Sequence, residues 1–199
     1  MNDTLNEIRK LSQVDFLPIL SPECEEVLID LLKKYKPTSI LEIGTCVGYS
    51  SSIMLLNSSA HIDTIEIDKE RQDVAKNVWK SQNLQDRVSA YLGDANEILK
   101  DVIKDKIYDF VFLDGPKSRY LEHLNAVIGN VKSGGIILAD DVLFFGLVKG
   151  EEHVAHKHRT IVRHLREFLQ NIEQRNDVDV EMIQKGNGIA IIRKKWLNY

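Results

Sequence analysis

Three aspartates close two apolar runs of this chain. Phe110-Val111-Phe112-Leu113 leads into Asp114, and Ile137-Leu138-Ala139 leads into Asp140 and Asp141. Both runs read as buried strands, and side by side in a parallel sheet their C-terminal ends open on one crevice. Three carboxylates converging there are hard oxygen ligands. They suit Mg2+ or another divalent cation, with water and substrate completing an octahedron. Left uncompensated they would repel one another strongly. The plainer reading of Asp140-Asp141, a pair of loop caps, stays open at this point. Lys117 follows Asp114 by three positions. It is either a base beside the carboxylates or a surface lysine opening a helix.

A second constellation is Leu41-Glu42-Ile43-Gly44-Thr45-Cys46-Val47-Gly48-Tyr49-Ser50. A strand-like run, Ser39–Ile43, crosses through two glycines into a helical segment from Tyr49. Gly44 and Gly48 permit a tight turn and close backbone approach. Such a crossing presents free backbone N–H groups at the edge of a parallel sheet, where nucleotides bind. A dinucleotide pyrophosphate calls for Gly-x-Gly-x-x-Gly. The spacing here is Glu42-x-Gly44-x-x-x-Gly48 with no third glycine in register, which disfavours NAD. Glu66, near the end of His61–Ile67, falls about 20 residues past this loop, where a ribose is read in doubly wound folds. Asp68 competes for that role but has the position of a helix N-cap. After Val88–Leu92, Gly93-Asp94-Ala95 sets a carboxylate beside small residues, able to accept from an adenine amine; Asp94 can equally be a helix N-cap.

The loop, Glu66 and Asp94 resemble the cofactor motifs of S-adenosylmethionine-dependent methyltransferases. Asp114-x-x-Lys117 with Tyr120, and Asp140-Asp141 followed by Val142-Leu143, resemble the cation-dependent O-methyltransferases of the catechol and caffeoyl-CoA type. The resemblance runs from about Pro18 to the C-terminus. Within that group, Val142-Leu143-Phe144-x-Gly146-Leu147-Val148, Arg159-x-Ile161-Val162 and Gly188-Ile189-Ala190 look most like bacterial tRNA 5-hydroxyuridine methyltransferases. The resemblance implies S-adenosylmethionine as cofactor, with Glu42 reading the methionine amino group. Gly44, Thr45, Gly48, Ser50, Glu66, Asp94, Ala95 and Asp114 would contact it, and the chain near Leu20 would cover it. It implies that Asp114, Asp140 and Asp141 hold Mg2+. Lys117 would be the catalytic lysine, its pKa lowered beside the cation so that it takes a proton from a substrate hydroxyl. The implied acceptor is 5-hydroxyuridine in tRNA, with a small catechol-like or phenolic molecule as the alternative, and a homodimer is expected. The family's third ligand is generally Asn. Asp141 in its place should bind the cation more tightly and acidify a coordinated hydroxyl less. The N-terminal region is shorter than usual by roughly a helix.

Positioning these residues requires alternating strands and helices. A polar helix over 4–12 precedes one opened by Ser21 and Pro22, whose Val27, Leu28, Leu31, Leu32 and Tyr35 share a face. The pattern then predicts strand 39–43, helix 49–57, strand 61–67, helix 69–82, strand 88–92, helix 95–104, strand 108–114, helix 118–131, strand 135–139 and helix 158–175. Strand 178–184, the turn Lys185-Gly186-Asn187-Gly188 and strand 189–193 form an antiparallel hairpin. The fold class expected is α/β: a doubly wound, seven-stranded, mostly parallel Rossmann-like sheet with a C-terminal antiparallel hairpin. It forms one domain over 1–199, with residues 1–35 as N-terminal lid helices.

Composition excludes several classes. At 43% hydrophobic and 28% charged, with no run near membrane-span length, the chain reads as globular. The start lacks a signal-peptide pattern, and the two cysteines, Cys24 and Cys46, suggest a reducing compartment, so a cytoplasmic location is expected. A net charge of −4 argues against whole-surface nucleic-acid binding. The stretch 149–166 departs from this, with five Lys/Arg against two Glu and four of the six histidines. It is either a solvated loop and helix or a local phosphate-binding patch. A zinc site from His153, His156 and His158 lacks the usual framework.

Overall fold

The computed structural model describes residues 3–15, 18–150 and 154–196. It contains one seven-stranded sheet in the order β3-β2-β1-β4-β5-β7-β6. The chain divides into two compact units, the first ending at Ala95 and the second beginning at Asn96.

The first unit carries α1 (Asp3–Asp15), α2 (Pro22–Tyr35), β1 (Ser39–Ile43), α3 (Tyr49–Leu56), β2 (His61–Glu66), α4 (Lys69–Ser81) and β3 (Val88–Leu92). β1 pairs with β2 and β2 with β3, both parallel. Local chemistry sets the helix starts. Ser21 caps α2 by accepting from the Cys24 N–H at 3.1 Å, and Pro22 needs no partner for a missing N–H. Asp68 caps α4, accepting from Glu70 and Arg71 at 2.9 and 3.2 Å. The competition between Asp68 and Glu66 is thereby resolved for the cap. Arg87 closes the turn before β3 by donating to the carbonyls of Leu55, Ser58 and Ala60.

The second unit carries all but the first residue of α5 (Ala95–Val102), with β4 (Tyr108–Leu113), α6 (Tyr120–Val127), β5 (Val131–Ala139), α7 (Arg159–Gln174), β6 (Val178–Ile183) and β7 (Ile189–Lys194). β4 and β5 are parallel, β7 runs antiparallel to β5, and β6 antiparallel to β7. Phe110 to Leu113 and Ile137 to Ala139 are fully buried, as unbroken apolar runs in a covered parallel sheet must be. One element differs from the sequence pattern. The helix expected over 118–131 is a short 3-10 turn at Lys117–Arg119, then α6, then another 3-10 turn at Ile128–Asn130. The Asn130 amide donates to the carbonyls of Ile103 and Lys106, and the Lys194 ammonium donates to those of Ile128 and Val131, so the helix end is satisfied without another turn. β5 consequently starts four residues early. Its register against β4 shifts between Tyr108 and Phe110, which takes the Gly134-Gly135 pair into the strand. No helix among the described residues is long and apolar enough to cross a membrane.

Candidate active site

In the first unit the glycine loop is held by a buried hydrogen-bond chain. Ser50 donates to one Glu42 oxygen at 2.5 Å, and Thr64 donates to the other at 2.6 Å. The Thr45 and Thr64 hydroxyls are 2.5 Å apart. Glu42 and Thr45 are 0% and 1% exposed, so their side chains organise the loop from within the sheet. Gly48, the N-cap of α3, has φ 77. A Cβ there would lie 2.9 Å from Trp79 Nε1 and 3.0 Å from Ala75 Cβ, so the close approach that demands glycine is that of α4. Trp79 Nε1 donates to Ser51 at 3.0 Å and locks this contact.

Glu66 accepts from the backbone N–H groups of Cys46 (2.7 Å), Ile67 (2.9 Å) and Asp68 (2.9 Å). A carboxylate has about four acceptor directions, so three fixed donors orient it and leave one over. Ile67 beside it is an apolar side chain left 66% exposed at the strand end, which the sequence reading missed. Asp94 follows Gly93, whose N–H donates to the Glu66 carbonyl at 2.8 Å, and Ala95 begins α5. Leu20 is buried just ahead of the Ser21 cap. A second missed cluster joins three helices. The Arg9 guanidinium of α1 donates to Glu25 of α2 and, at 2.6 Å, to the hydroxyl of Tyr49 on α3; that hydroxyl donates to Glu25 at 2.8 Å. Burial and the Glu25 carboxylate push Tyr49 up to about 12. Its signal was the placement of Tyr49 between Gly48 and Ser50.

In the second unit the paired residues Leu113 and Ala139 set Asp114 and Asp140 at equivalent positions past β4 and β5. The Asp140 N–H donates to the Leu113 carbonyl at 3.2 Å, and the Asp141 N–H donates to the Asp140 carboxylate at 2.8 Å. Asp141 has φ 58, a left-handed conformation that Asp and Asn tolerate better than most residues. Lys117 Nζ sits among the acids, 2.7 Å from Asp114 and 3.6 Å from Asp141. It also donates to the buried Tyr120 hydroxyl at 2.9 Å. That hydroxyl lies 3.0 Å from the Leu113 carbonyl and 2.9 Å from that of Asp140, so one proton is shared between the two strand ends. Tyr120, which carried only the motif in the sequence, is thus the joint of this cluster.

Burial disfavours the Lys117 ammonium, yet Asp114, Tyr120 and Asp141 outweigh it and hold the amine well above the ordinary lysine value while the acids have no other counterion. Burial raises Asp114 despite the adjacent ammonium. Burial, with Asp114 and Asp141 nearby, pushes Asp140 up to about 7. More negative charge is gathered here than one lysine neutralises, and the donors are hard oxygens, so in charge and chemistry the set fits a divalent cation. The arrangement is not a ready-made ligand shell. Among the described residues no group of three or more His, Cys, Asp or Glu side chains stands positioned to hold a metal ion, and the ammonium lies where the acids face one another.

The basic stretch is largely committed to its own segment. Arg166 donates to the carbonyls of Leu147, Val148 and Gly150, Arg159 donates to that of Val154, and Arg163 lies 3.8 Å from Glu167. His153 of the zinc alternative lies outside the described residues.

The sheet order and the acids at its strand ends define an α/β methyltransferase. The family model described as O-methyltransferase matches residues 2–195. The caffeoyl-CoA O-methyltransferase of Stellaria longipes is 27% identical over 205 residues, covering 97% of this chain and 84% of its own. That of Medicago sativa is 28% identical over 205 residues, covering 97% and 82%. An O-methyltransferase from Bacillus cereus, solved in complex with S-adenosylhomocysteine, matches with TM-score 0.85 at 25% identity over 98% of this chain and 92% of that one. The chain belongs to the O-methyltransferase family and is an S-adenosylmethionine-dependent O-methyltransferase.

Proposed function

We propose that this enzyme methylates a hydroxyl of a small catechol-like or phenolic acceptor, with a divalent cation held by Asp114, Asp140 and Asp141. The observation that carries this reading is the half-buried cluster in which Lys117 Nζ lies 2.7 Å from Asp114 and 3.6 Å from Asp141. The relatives named caffeoyl-CoA O-methyltransferases support the acceptor class.

The donor is bound by the first unit, through the Gly44–Ser50 loop, the oriented Glu66 carboxylate and Asp94. N-terminal helices 1–35 act as a lid over it, a role supported by the tie from Arg9 to Tyr49 beside Ser50. A divalent cation on the three aspartates would supply Lewis acidity that lowers the pKa of an acceptor hydroxyl. Lys117 is the base. It can take a proton only after losing the one it holds, and the interactions that keep that proton are those with Asp114 and Asp141. Any positive charge that neutralises these acids therefore frees Nζ to act. Tyr120 keeps Nζ aimed from the strand ends. The remaining contribution is orientation of hydroxyl and methyl group. Cys24 and Cys46 form no disulfide, which supports a cytoplasmic site of action. A homodimer accompanies this reading.

The tRNA reading rests on the Val142 to Val148 resemblance and the basic stretch, whose Arg159, Arg163 and Arg166 have local partners. Isotope-labelled methyl donor supplied to a catechol panel, and in parallel to bulk tRNA from a strain lacking this protein, separates the two. Catechol labelling abolished by chelator is expected. Labelling of tRNA alone would replace the small acceptor, and full activity in excess chelator would remove the cation.

A further inference from the structure

Asp140 and Asp141 open a segment, reaching Gly150, whose backbone is strained. Besides Asp141, Phe144 and Phe145 have φ of 42 and 56, a region that bulky residues rarely occupy. Phe145 is also 73% exposed, so no burial of its ring offsets the strain. Such a conformation persists only where the surroundings over-determine it.

Two anchors do so. At the near end, Val142 and Leu143 donate to the carbonyls of Gly188 and Asn187 at 2.9 and 2.8 Å. At the far end, Arg166 of α7 reaches back. Its Nε donates to the Val148 carbonyl at 2.9 Å, and its Nη2 donates to Gly150 at 2.8 Å and, more weakly, to Leu147 at 3.3 Å. Between the anchors run the segment's own turn bonds, at 3.1 to 3.3 Å, and an edge-on contact of the Phe144 ring with His158 at 5.4 Å. A planar guanidinium can serve several carbonyls from fixed directions, which an ammonium cannot do as well.

We propose that Arg166 is a positioning residue: its fork fixes the strained 141–148 segment and thereby sets how Asp141 is presented to the cation and acceptor, without acting on the donor. This rests on the reading of Asp140 and Asp141 as the acceptor end of the site.

The test compares wild type with Arg166→Met and Arg166→Lys by four measurements: manganese affinity by calorimetry, S-adenosylmethionine affinity by calorimetry, amide exchange at 144–149, and kcat and KM for a catechol. In Arg166→Met, loss of charge-assisted hydrogen bonds should weaken manganese binding and raise the acceptor KM roughly tenfold, with exchange at 147–149 faster by a similar factor. S-adenosylmethionine affinity should stay within about twofold, kcat should fall less than KM rises, and Arg166→Lys should be intermediate. Unchanged exchange, manganese affinity and KM would overturn the proposal. So would a parallel loss of S-adenosylmethionine affinity and melting temperature, which marks a general structural role. If wild type methylates no catechol, the acceptor class fails on its own, and exchange with manganese affinity still decides the role of Arg166.

Discussion

Replacing Asp140 by Asn should make the protein more stable while abolishing its activity. Asp140 is 5% exposed, and burial beside Asp114 and Asp141 pushes its carboxyl from an ordinary 3.8 up to about 7. Between those values the folded chain holds a proton that the unfolded chain has released. Stability from this group is therefore full below about pH 4 and is lost as pH rises through about 7. At about 1.36 kcal/mol per unit, the penalty above pH 7 reaches roughly 4 kcal/mol. Asn keeps the oxygen that accepts from the Asp141 N–H and removes the charge, but its amide must find a partner near the Lys117 ammonium. A net gain of about 2–4 kcal/mol at pH 8 is expected, or roughly 5–10 °C for a chain of this size. At pH 4 the two proteins should differ little. Thermal unfolding in chelator across pH 4 to 8 measures this directly: the wild-type melting temperature should slope downward with pH, and the variant's should flatten. Equal slopes, or a variant no more stable at pH 8, would refute the claim that Asp140 is held against its charged form. Turnover by the variant should be undetectable in either case, since an amide oxygen can ligate a hard cation but neutralises none of its charge.

Two further outcomes test other parts of the site. Lys117→Met should lower kcat by about 10²–10⁴ with S-adenosylmethionine affinity unchanged, and should cost about 1–3 kcal/mol of stability at pH 8, because half-buried Asp114 and Asp141 lose their counterion; single-turnover kinetics and urea titration read both. Gly188→Ala should cost about 2–4 kcal/mol by urea denaturation and reduce activity, since its Cβ would stand 2.3 Å from Leu143 Cγ at φ 82, whereas Gly129→Ala, with nothing within 4 Å, should be near neutral.

Much of the fold was legible in the chain because its signals are local. The unbroken apolar runs of β4 and β5 identify covered parallel strands, Ser21 and Asp68 stand where helix caps are needed, and the Gly/Asn turn before Ile189 marks a hairpin. The helix over 118–131 was misread because its ends are decided by Asn130 and by the distant Lys194 ammonium, and no local pattern encodes those partners.

For the site, the sequence by itself determined which groups stand at the strand ends: Glu42, Glu66 and Asp94 in the first unit, and Asp114, Asp140 and Asp141 in the second. Chain order and apolar patterning suffice for that, since a strand's length fixes where its last side chain emerges. Only the tertiary structure decided what those groups do to one another. That Gly48 is glycine because of Trp79 and Ala75, that Tyr49 joins Arg9 and Glu25, and that Arg166 grips Leu147 to Gly150 all depend on residues far apart in the chain. The protonation of Lys117 and Asp140 depends on more still. Charge state follows from desolvation and from distances of a few ångströms, and neither exists until the chain has folded.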